Sequence, residues 1–472
     1  MKNKVKYLSK NILLFTISGF VPKILSFFLI PIYTRCLTTG DYGVADLITT
    51  TVSLIIPIFT LDIQDAVLIF SMDKKYNKKD VFSVAMKINF FGFAIVTFVT
   101  LLLWFFKFLN INGYVYIFFL ITYFATAFSN SINLFCKGID RVKELVISSL
   151  INSIFTLSLN ILFLKVLNLG IIGYLISNSV GIILSLLYIF CKTELYKYIV
   201  LKSNSNLFKE MVKFSFPLIF SVIAWWINNA SDRYILTWIT GISVSGLYAI
   251  SYKIPNLLST FQNIFAQAWS ISAVKEFDRN DEDGFVGKMY SLMNFSMCFI
   301  CSIIMVFNVF IAKLLYADTF FEAWKFVPPL LISVVFNAMS LFIGSIFTAV
   351  KDTKTLSKST IIGAIVNTLL NFILIYYFAA YGAAMATLIG YFVVLIMRNI
   401  ILKKHIHMKT NNLINNLCYL FLLIQMFFAY FGNNYIILQL AISLIIVILY
   451  KNYIYDIINF VKKIKKKENK ND

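Results

Sequence analysis

The sequence has little charge for its length. Only 14% of the 472 residues are Asp, Glu, Lys or Arg, whereas 60% are hydrophobic, and the mean hydropathy is +0.81. A soluble particle of this size needs much more polar surface than this composition supplies. The composition therefore excludes a water-soluble enzyme and predicts a protein that lies in a lipid bilayer.

Histidine and cysteine are also scarce, with 2 and 6 residues respectively. His405 and His407 lie in a lysine-rich segment, and the C-x-x-C of Cys298 and Cys301 lies in an apolar run without a second pair. Zinc sites need three or four suitably spaced ligands, and acid–base catalysis most often uses histidine. We therefore predict no metal site, no cofactor and no enzymatic activity.

Long apolar runs fill most of the chain. A membrane-spanning helix needs about 20 apolar residues, and these runs lack the alternation of barrel strands. We predict an all-α polytopic membrane protein with about 14 transmembrane helices. The predicted spans are 11–34, 43–70, 82–106, 114–135, 145–165, 170–191, 211–239, 243–271, 286–315, 326–350, 359–379, 383–402, 413–431 and 435–455.

Basic residues are distributed unevenly between the two sets of connecting segments. One set holds the Lys-rich N-terminus, the run from Lys74 to Lys79 and the C-terminal tail, whereas the other holds little beyond Arg35 and Lys107. The positive-inside rule then predicts that both termini are cytoplasmic. The net charge of +20 is therefore mainly topological, with attraction to anionic lipid as a second effect and no nucleic-acid partner.

The chain shows a weak internal repeat. The segment 192–210 resembles a linker and separates six spans from eight. Residue pairs at similar offsets link helices 1 and 2 with helices 7 and 8: Tyr33 with Tyr234, Pro22 with Pro217, and Pro57 with Pro255. We predict two six-helix lobes, 1–191 and 211–402, followed by two further helices and a basic tail in 403–472, with bends at these four prolines.

Ionisable residues at bilayer depth concentrate in the same helices. Lys23 lies about 18 Å from the cytoplasmic end of its span, and Lys253 lies about 15 Å from the external end of its span, at 1.5 Å per residue. Two cations near the midplane of equivalent helices predict a site for an anionic substrate. Pairing within the protein, for example of Lys23 with Asp62, and snorkelling to the interface remain open alternatives. Further charges in these helices are Asp46, Asp65, Asp232 and Arg233.

Aromatic residues gather near these charges. Trp225, Trp226 and Tyr252 are candidates for contact with sugar rings, although core packing explains them equally well. Gln267 is a candidate hydrogen-bonding partner of the same substrate. Tyr234, Trp238 and Tyr248 fit an aromatic belt at the external interface.

Two segments resemble bacterial polysaccharide-biosynthesis flippases of the Wzx type. The first contains Lys23-Ile24-Leu25, Phe28-Leu29-Ile30-Pro31-Ile32-Tyr33-Thr34, Leu37-Thr38 and Asp41-Tyr42-Gly43. The second contains Asp232-Arg233-Tyr234-Ile235-Leu236 and Gly246-Leu247-Tyr248-Ala249-Ile250-Ser251-Tyr252-Lys253. The resemblance implies a fold of the multidrug/oligosaccharidyl-lipid/polysaccharide (MOP) exporter superfamily.

The resemblance also implies a function. Such proteins move undecaprenyl-diphosphate-linked oligosaccharide repeat units across the bacterial inner membrane by alternating access, coupled to an ion gradient of H⁺ or Na⁺. It assigns diphosphate contacts to Lys23, Arg233 and Lys253, and coupling or gating roles to Asp62 and Asp232. The implied partners are the bilayer, the lipid-linked oligosaccharide, and polysaccharide polymerase and chain-length proteins of O-antigen or capsule synthesis.

Other functions remain open at this stage. A relative of the same superfamily can flip a peptidoglycan precursor, which the residues do not distinguish from a polysaccharide unit. Export of cationic drugs fits the midplane lysines poorly, because a cation favours exposed carboxylates. A membrane polymerase is expected to carry a large external loop, and a scaffold does not explain charges and prolines in equivalent helices.

Overall fold

The structure is a computed structural model, and it describes residues 22–23, 25–108, 111–200, 205–275, 278, 280–282, 284–350, 352–431 and 435–451. These residues form α-helices, short 3₁₀ and π turns and connecting segments, with no strand among them. The predicted all-α class is confirmed. The chain divides into two compact units, one of residues 1–237 with 242–246 and one of residues 238–241 with 247–472.

Within the residues that the structure describes, the first unit contains eight helices. Phe82 and Phe135 belong to its buried apolar core, with ring centroids 4.7 Å apart, ring planes tilted by 45° and both side chains fully buried. The helices are α1 (Ile30–Cys36), α2 (Thr39–Phe59), α3 (Ile63–Met72), α4 (Lys78–Phe105), α5 (Gly113–Gly138), α6 (Val142–Asn160, extended by a π turn), α7 (Gly170–Lys192) and α8 (Ser205–Thr240).

The second unit contains the remaining helices, except that residues 242–246 of the helix 242–251 belong to the first unit. Among its long apolar helices, Val327–Ala349 is the most buried. In its most apolar stretch of 18 residues, 78% of the residues are buried inside the protein. The helices are α9 (Ile242–Ser251), α10 (Pro255–Lys275), α11 (Phe285–Val306), α12 (Asn308–Leu315), α13 (Val327–Ala349), α14 (Thr353–Leu402), α15 (Asn412–Ala429) and α16 (Ile436–Leu449).

The helices agree with a multi-pass membrane protein. Within the described ranges, 9 helices are long and apolar enough to cross a bilayer, and shorter apolar helices accompany them. The count of 14 spans and the lobe boundaries stay predictions. The predicted spans 359–379 and 383–402 both lie in α14, which consists of two helices that meet at Ala379, a residue with a non-helical backbone and a φ of 48°.

Two predicted spans are broken next to a proline in the structure, and a third, 286–315, is broken at Phe307 into α11 and α12. The span 43–70 consists of α2 and α3, because Leu61 and Asp62 adopt left-handed conformations with φ of 53° and 48°. The span 243–271 consists of α9 and α10, and Pro255 begins α10 directly after the break. Both breaks lie next to a proline in helices that the predicted repeat makes equivalent. Pro217, by contrast, lies inside the continuous helix α8.

Polar side chains join α15 and α16 to α11 in the second unit. Asn294 donates to Asn415 Oδ1 (3.0 Å) and to the Tyr450 hydroxyl (2.9 Å). About two helical turns after Asn294 on α11, Ser302 donates to Gln425 Oε1 at 2.7 Å. The Ser302 hydroxyl also lies 2.6 Å from that of Ser443. Such bonds are strong restraints between helices in lipid, because separation leaves each group without a partner. We call this set the α11 polar ladder.

Candidate functional site

The two family-like segments meet at the start of α2. Thr38 caps this helix in a capping box with Asp41, which fixes where the helix begins. A Cβ added to Gly43 would lie 2.3 Å from the carbonyl oxygen of Ile242, and one added to Gly246 would lie 1.9 Å from that of Thr39. Only glycine fits at either position without moving the backbones apart.

Charged and aromatic side chains continue this contact along α2 and α8. Asp46 Oδ2 lies 2.8 Å from Nε of Arg233, and both side chains are mostly buried. The hydroxyls of Thr51 and Tyr234 form a hydrogen bond. We call this contact, which comprises Gly43, Asp46 and Thr51 on one side and Trp226, Arg233, Tyr234 and Gly246 on the other, the α2–α8 seam.

Trp226 belongs to the α2–α8 seam. Its side chain is buried, and its indole N–H donates to the carbonyl of Thr50 (3.0 Å) and lies 3.2 Å from the hydroxyl of Ser53. Trp225, the other tryptophan predicted to contact sugar, is 63% exposed. The structure therefore places one tryptophan in helix packing and leaves the other available. Their predicted contacts with sugar stay predictions.

Lys23 lines a cavity in the first unit, which we call the Lys23 cavity. Its volume is about 310 Å³, and its wall combines one cation with amide and hydroxyl groups. The lining residues are Pro22, Lys23, Leu25, Ser26, Leu29, Asn152, Ser153, Thr156, Asn178 and Ile182. No carboxylate is among them, and no carboxylate in the described ranges lies within 4.0 Å of the Lys23 ammonium group. An anion fits this wall.

The amide side of the Lys23 cavity was not predicted. Asn152 and Thr156 lie one helical turn apart on α6, and Asn178 of α7 faces the same space. The sequence does contain a signal, because Ser148, Asn152, Thr156 and Asn160 recur at the four-residue spacing of one helix face. Charge at bilayer depth is the signal that selects Lys23, and it does not select this stripe, because these four residues are polar but uncharged.

Lys253 and Tyr252 lie in the second unit, at the break between α9 and α10. Lys253 is half-buried, and it forms no ion pair within 4.0 Å with the residues that the structure describes. The hydroxyls of Tyr252 and Tyr248 lie 2.9 Å apart. The unwound backbone here is tolerated in a bilayer only where protein or water covers it.

The predicted carboxylates occupy different surroundings. Asp62 is fully buried at the break after α2, where Oδ1 accepts from Gln64 at 3.1 Å and Oδ2 has no hydrogen-bond partner in the described part of the chain. Asp232 is buried and accepts from the backbone N–H of Arg233 at 2.9 Å. The pair of Lys23 with Asp62 that the sequence left open is not present. The side chain of Gln267 lies outside the described residues.

Arg398 is a buried cation that the sequence pattern does not predict. Its guanidinium group donates to the Ser359 hydroxyl (3.0 Å), the Ser340 carbonyl (2.6 Å) and the Thr360 hydroxyl (2.9 Å). Neutral oxygens thus satisfy this charge and tie α13 to both halves of α14. Its position near the end of a predicted span gives no sign of burial in the sequence. No group of metal-ligating side chains occurs among the described residues.

Solved structures show the same fold. The lipid II flippase MurJ in an inward closed conformation is 17% identical, with a TM-score of 0.71 over 94% of this chain and 100% of that chain. An inward-facing multidrug resistance MATE family transporter of the MOP superfamily is 15% identical, with a TM-score of 0.66 over 81% of this chain and 96% of that one. A MOP superfamily transporter from Pyrococcus furiosus is 13% identical, with a TM-score of 0.56 over 84% and 95% of the two chains.

Sequence comparison gives the family. A search among curated proteins finds no similar sequence. A family profile described as polysaccharide biosynthesis protein matches residues 8–271, which include both segments of the α2–α8 seam and the Lys23 cavity. This match covers more than half of the chain, and it confirms the resemblance drawn from the motifs. The chain belongs to the polysaccharide biosynthesis protein family and has the fold of MOP superfamily transporters.

Proposed function

We propose that this protein is a flippase that moves undecaprenyl-diphosphate-linked oligosaccharide repeat units from the cytoplasmic to the periplasmic leaflet. The family and the fold support a transporter that handles lipid-linked sugars, and the observation that carries the proposal is the Lys23 cavity. Alternating access in such a bundle needs no covalent chemistry, because the lipid chain stays in the bilayer while the headgroup crosses.

The composition of the Lys23 cavity suits a diphosphate joined to a sugar. A lysine ammonium group is a point charge that binds phosphate, and the amides of Asn152 and Asn178 and the hydroxyl of Thr156 bind sugar hydroxyls. A drug cation would instead need a carboxylate in the wall. Lys253, which lies at the break between α9 and α10, is proposed as a second phosphate contact. Arg233 is proposed as a third, although its pairing with Asp46 must loosen first.

Coupling to an ion gradient is proposed to involve Asp62. A buried carboxylate oxygen without a hydrogen-bond partner is costly, and binding of H⁺ or Na⁺ removes that cost. Its position at the break between α2 and α3 links ion binding to the bend of a helix. Asp232, which lies beside the ion pair of Asp46 and Arg233, is proposed as a gating residue.

The proposed setting is the bacterial inner membrane with both termini in the cytoplasm. Polysaccharide polymerase and chain-length proteins are the proposed partners. Reporter fusions at the C-terminus and within residues 192–210 are expected to report the cytoplasm. A periplasmic signal from either fusion contradicts this orientation and the even number of crossings.

Complementation tests the proposed function. The gene is expressed in a bacterium that lacks its own repeat-unit flippase and contains the cognate sugar-assembly enzymes, and surface polysaccharide is measured. Restored display is expected, together with its loss in Lys23→Ala at equal membrane abundance. Absent display, with confirmed expression and repeat-unit synthesis, overturns the proposal.

Flipping of a peptidoglycan precursor is the second candidate, because the lipid II flippase has a similar fold over 94% of this chain. Depletion of the host's own lipid II flippase distinguishes the two candidates. Rescue of growth by this gene, without restored polysaccharide display in the first assay, favours the peptidoglycan precursor.

A further inference from the structure

The second unit contains a larger cavity beside the segment 403–411, which we call the loop cavity. Its volume is about 630 Å³, and it lies where α14 ends and α15 begins. The lining residues are Tyr290, Ile396, Asn399, Ile400, Leu402, Lys403, Ile406, His407, Met408, Thr410, Asn412, Asn415, Asn416 and Tyr419. It is separate from the Lys23 cavity, which belongs to the other unit.

The wall of the loop cavity favours an anion. It contains Lys403 and His407, both exposed, and no Asp or Glu. Asn412 and Asn416 stand in the first turns of α15, an 18-residue helix whose N-terminal end carries a partial positive charge. Cationic, amide and helix-end groups therefore converge on one space.

A buried amide points to a missing acceptor in this wall. Asn415 is only 4% exposed, and its Oδ1 accepts hydrogen bonds from Asn294 and Tyr450 in the α11 polar ladder. Its Nδ2 has no hydrogen-bond partner within the described ranges. A buried donor without an acceptor is uncommon and costs about 1–3 kcal/mol. An oxygen of a bound ligand removes this cost.

The nearby carboxylates are engaged elsewhere. Asp281 accepts from the backbone N–H groups of Val286, Gly287 and Lys409. Asp352 pairs with His405, which does not line the loop cavity. These acids hold the segment 403–411 in place, and neither of them pairs with Lys403 or His407 of the cavity wall.

The apolar rim identifies the source of the anion. Ile396 and Ile400 line the cavity, lie one turn apart on α14 and are 41% and 61% exposed. A free phosphate makes no use of such a rim, whereas an acyl chain covers it. We propose that the loop cavity binds the phosphate headgroup of an anionic phospholipid, whose chains lie along α14. On the predicted orientation, this lipid belongs to the cytoplasmic leaflet.

Native mass spectrometry of the full-length protein in detergent tests this proposal. The probes are dioleoylphosphatidylglycerol and dioleoylphosphatidylcholine, titrated separately. The wild type is expected to prefer phosphatidylglycerol, and Lys403→Gln is expected to bind it about five-fold more weakly, since one lysine near anionic lipid contributes about 1 kcal/mol. The matched control is Lys404→Gln, because Lys404 is also exposed and does not line the cavity.

A second variant acts through a different group. In Asn416→Asp, a carboxylate is placed at an exposed position of the cavity wall near the start of α15, where it suits the helix dipole and repels phosphate. We expect normal unfolding temperature and weaker phosphatidylglycerol binding. Equal binding of this lipid by the wild type, Lys403→Gln and Asn416→Asp overturns the proposal, as does an equal loss in Lys404→Gln.

Competition with soluble anions separates the two sources of phosphate. Inorganic phosphate and glycerol 3-phosphate are added at millimolar concentration to the lipid-bound protein. Retention of phosphatidylglycerol supports a lipid site, because the acyl chains contribute to binding. Displacement by either soluble anion shows that the cavity recognises phosphate alone and overturns the assignment to lipid.

Discussion

The α2–α8 seam and the Lys23 cavity lie in the same compact unit and handle charge in opposite ways. In the seam, Asp46 and Arg233 neutralise each other at 2.8 Å. In the cavity, Lys23 faces neutral amides and hydroxyls without a carboxylate. A charge in an apolar bundle needs either an opposite charge or polar space. The paired charges therefore position helices, whereas the cation without an ion pair is suited to bind a substrate.

Substitution of Lys23 tests this difference with the largest expected effect. A charge-assisted hydrogen bond contributes about 1.5–3 kcal/mol, so Lys23→Gln is expected to lower surface polysaccharide display by about ten-fold or more. Lys23→Arg keeps the charge and is expected to retain part of the activity. Ser26→Ala, in the same cavity wall, is the control and is expected to remain near the wild type. Normal display by Lys23→Gln contradicts a substrate-binding role.

The glycine contact of the α2–α8 seam provides the next test. A Cβ in Gly246→Ala meets the backbone carbonyl of Thr39 at 1.9 Å, so α2 and α9 must separate. We expect the free energy of unfolding to fall by about 2 kcal/mol or more, which lowers the unfolding temperature in detergent. In the control Gly40→Ala, the new Cβ meets no backbone atom, only the side-chain hydroxyls of Ser243 at 3.3 Å and Thr38 at 3.8 Å, and a smaller shift is expected. Equal unfolding temperatures for the two variants argue against the close contact.

The ion pair of the seam is expected to contribute less. Asp46→Asn leaves Arg233 partly buried beside a neutral group. We expect the free energy of unfolding to fall by about 1–2 kcal/mol, less than for a fully buried pair, because the Asp46 and Arg233 side chains are 21% and 15% exposed. The reversed pair, Asp46→Arg with Arg233→Asp, is expected to recover part of the stability. Additive losses in the double variant, measured by thermal unfolding, show that the two charges do not act as a pair.

The smallest effect is expected for a pair outside the membrane-spanning helices. Hydrogen bonds from the Thr355 hydroxyl and N–H, with a smaller contribution from His405, hold the pKa of Asp352 below its usual range. The charge therefore stabilises the start of α14 above the ordinary Asp pKa, and this contribution is lost as pH falls through the lowered value. Asp352→Asn keeps a capping oxygen, so its unfolding temperature is expected to be slightly below the wild type at pH 7, with a difference that narrows as the pH falls below the ordinary Asp pKa.

The sequence predicts the broad architecture because apolar length and charge distribution act locally. The runs around α4, α5, α7 and α13 are continuous, and each forms one helix over its predicted span. The run 286–315, by contrast, divides into α11 and α12. The breaks are harder to predict. Pro57 signals the first, but the left-handed backbone at Leu61 and Asp62 depends on tertiary packing, and the kink at Ala379 has no proline or glycine at its centre.

The site residues show a similar limit. Mid-depth position in an apolar run selects Lys23 as a candidate, because an isolated charge there is rare, and its contact with a substrate stays a prediction. The same rule selects Arg233, yet this cation is paired with Asp46, and the sequence does not contain that distance. Arg398 escapes the rule because it lies near a helix end, although three neutral oxygens surround it. Whether a charge is paired depends on contacts between residues that are far apart in the sequence.

The α11 polar ladder has a consequence for synthesis of the protein. Asn294 is made 121 residues before Asn415 and 156 residues before Tyr450, the two groups that satisfy its amide. At about 5–20 residues per second, α11 waits roughly 6–24 s for the first of these partners. Release of α11 into lipid before these partners exist leaves the Asn294 amide without a hydrogen-bond acceptor, which is costly. We therefore expect α11 to stay beside the insertion machinery until α15 emerges, so that the last two helices complete insertion of a helix made long before them.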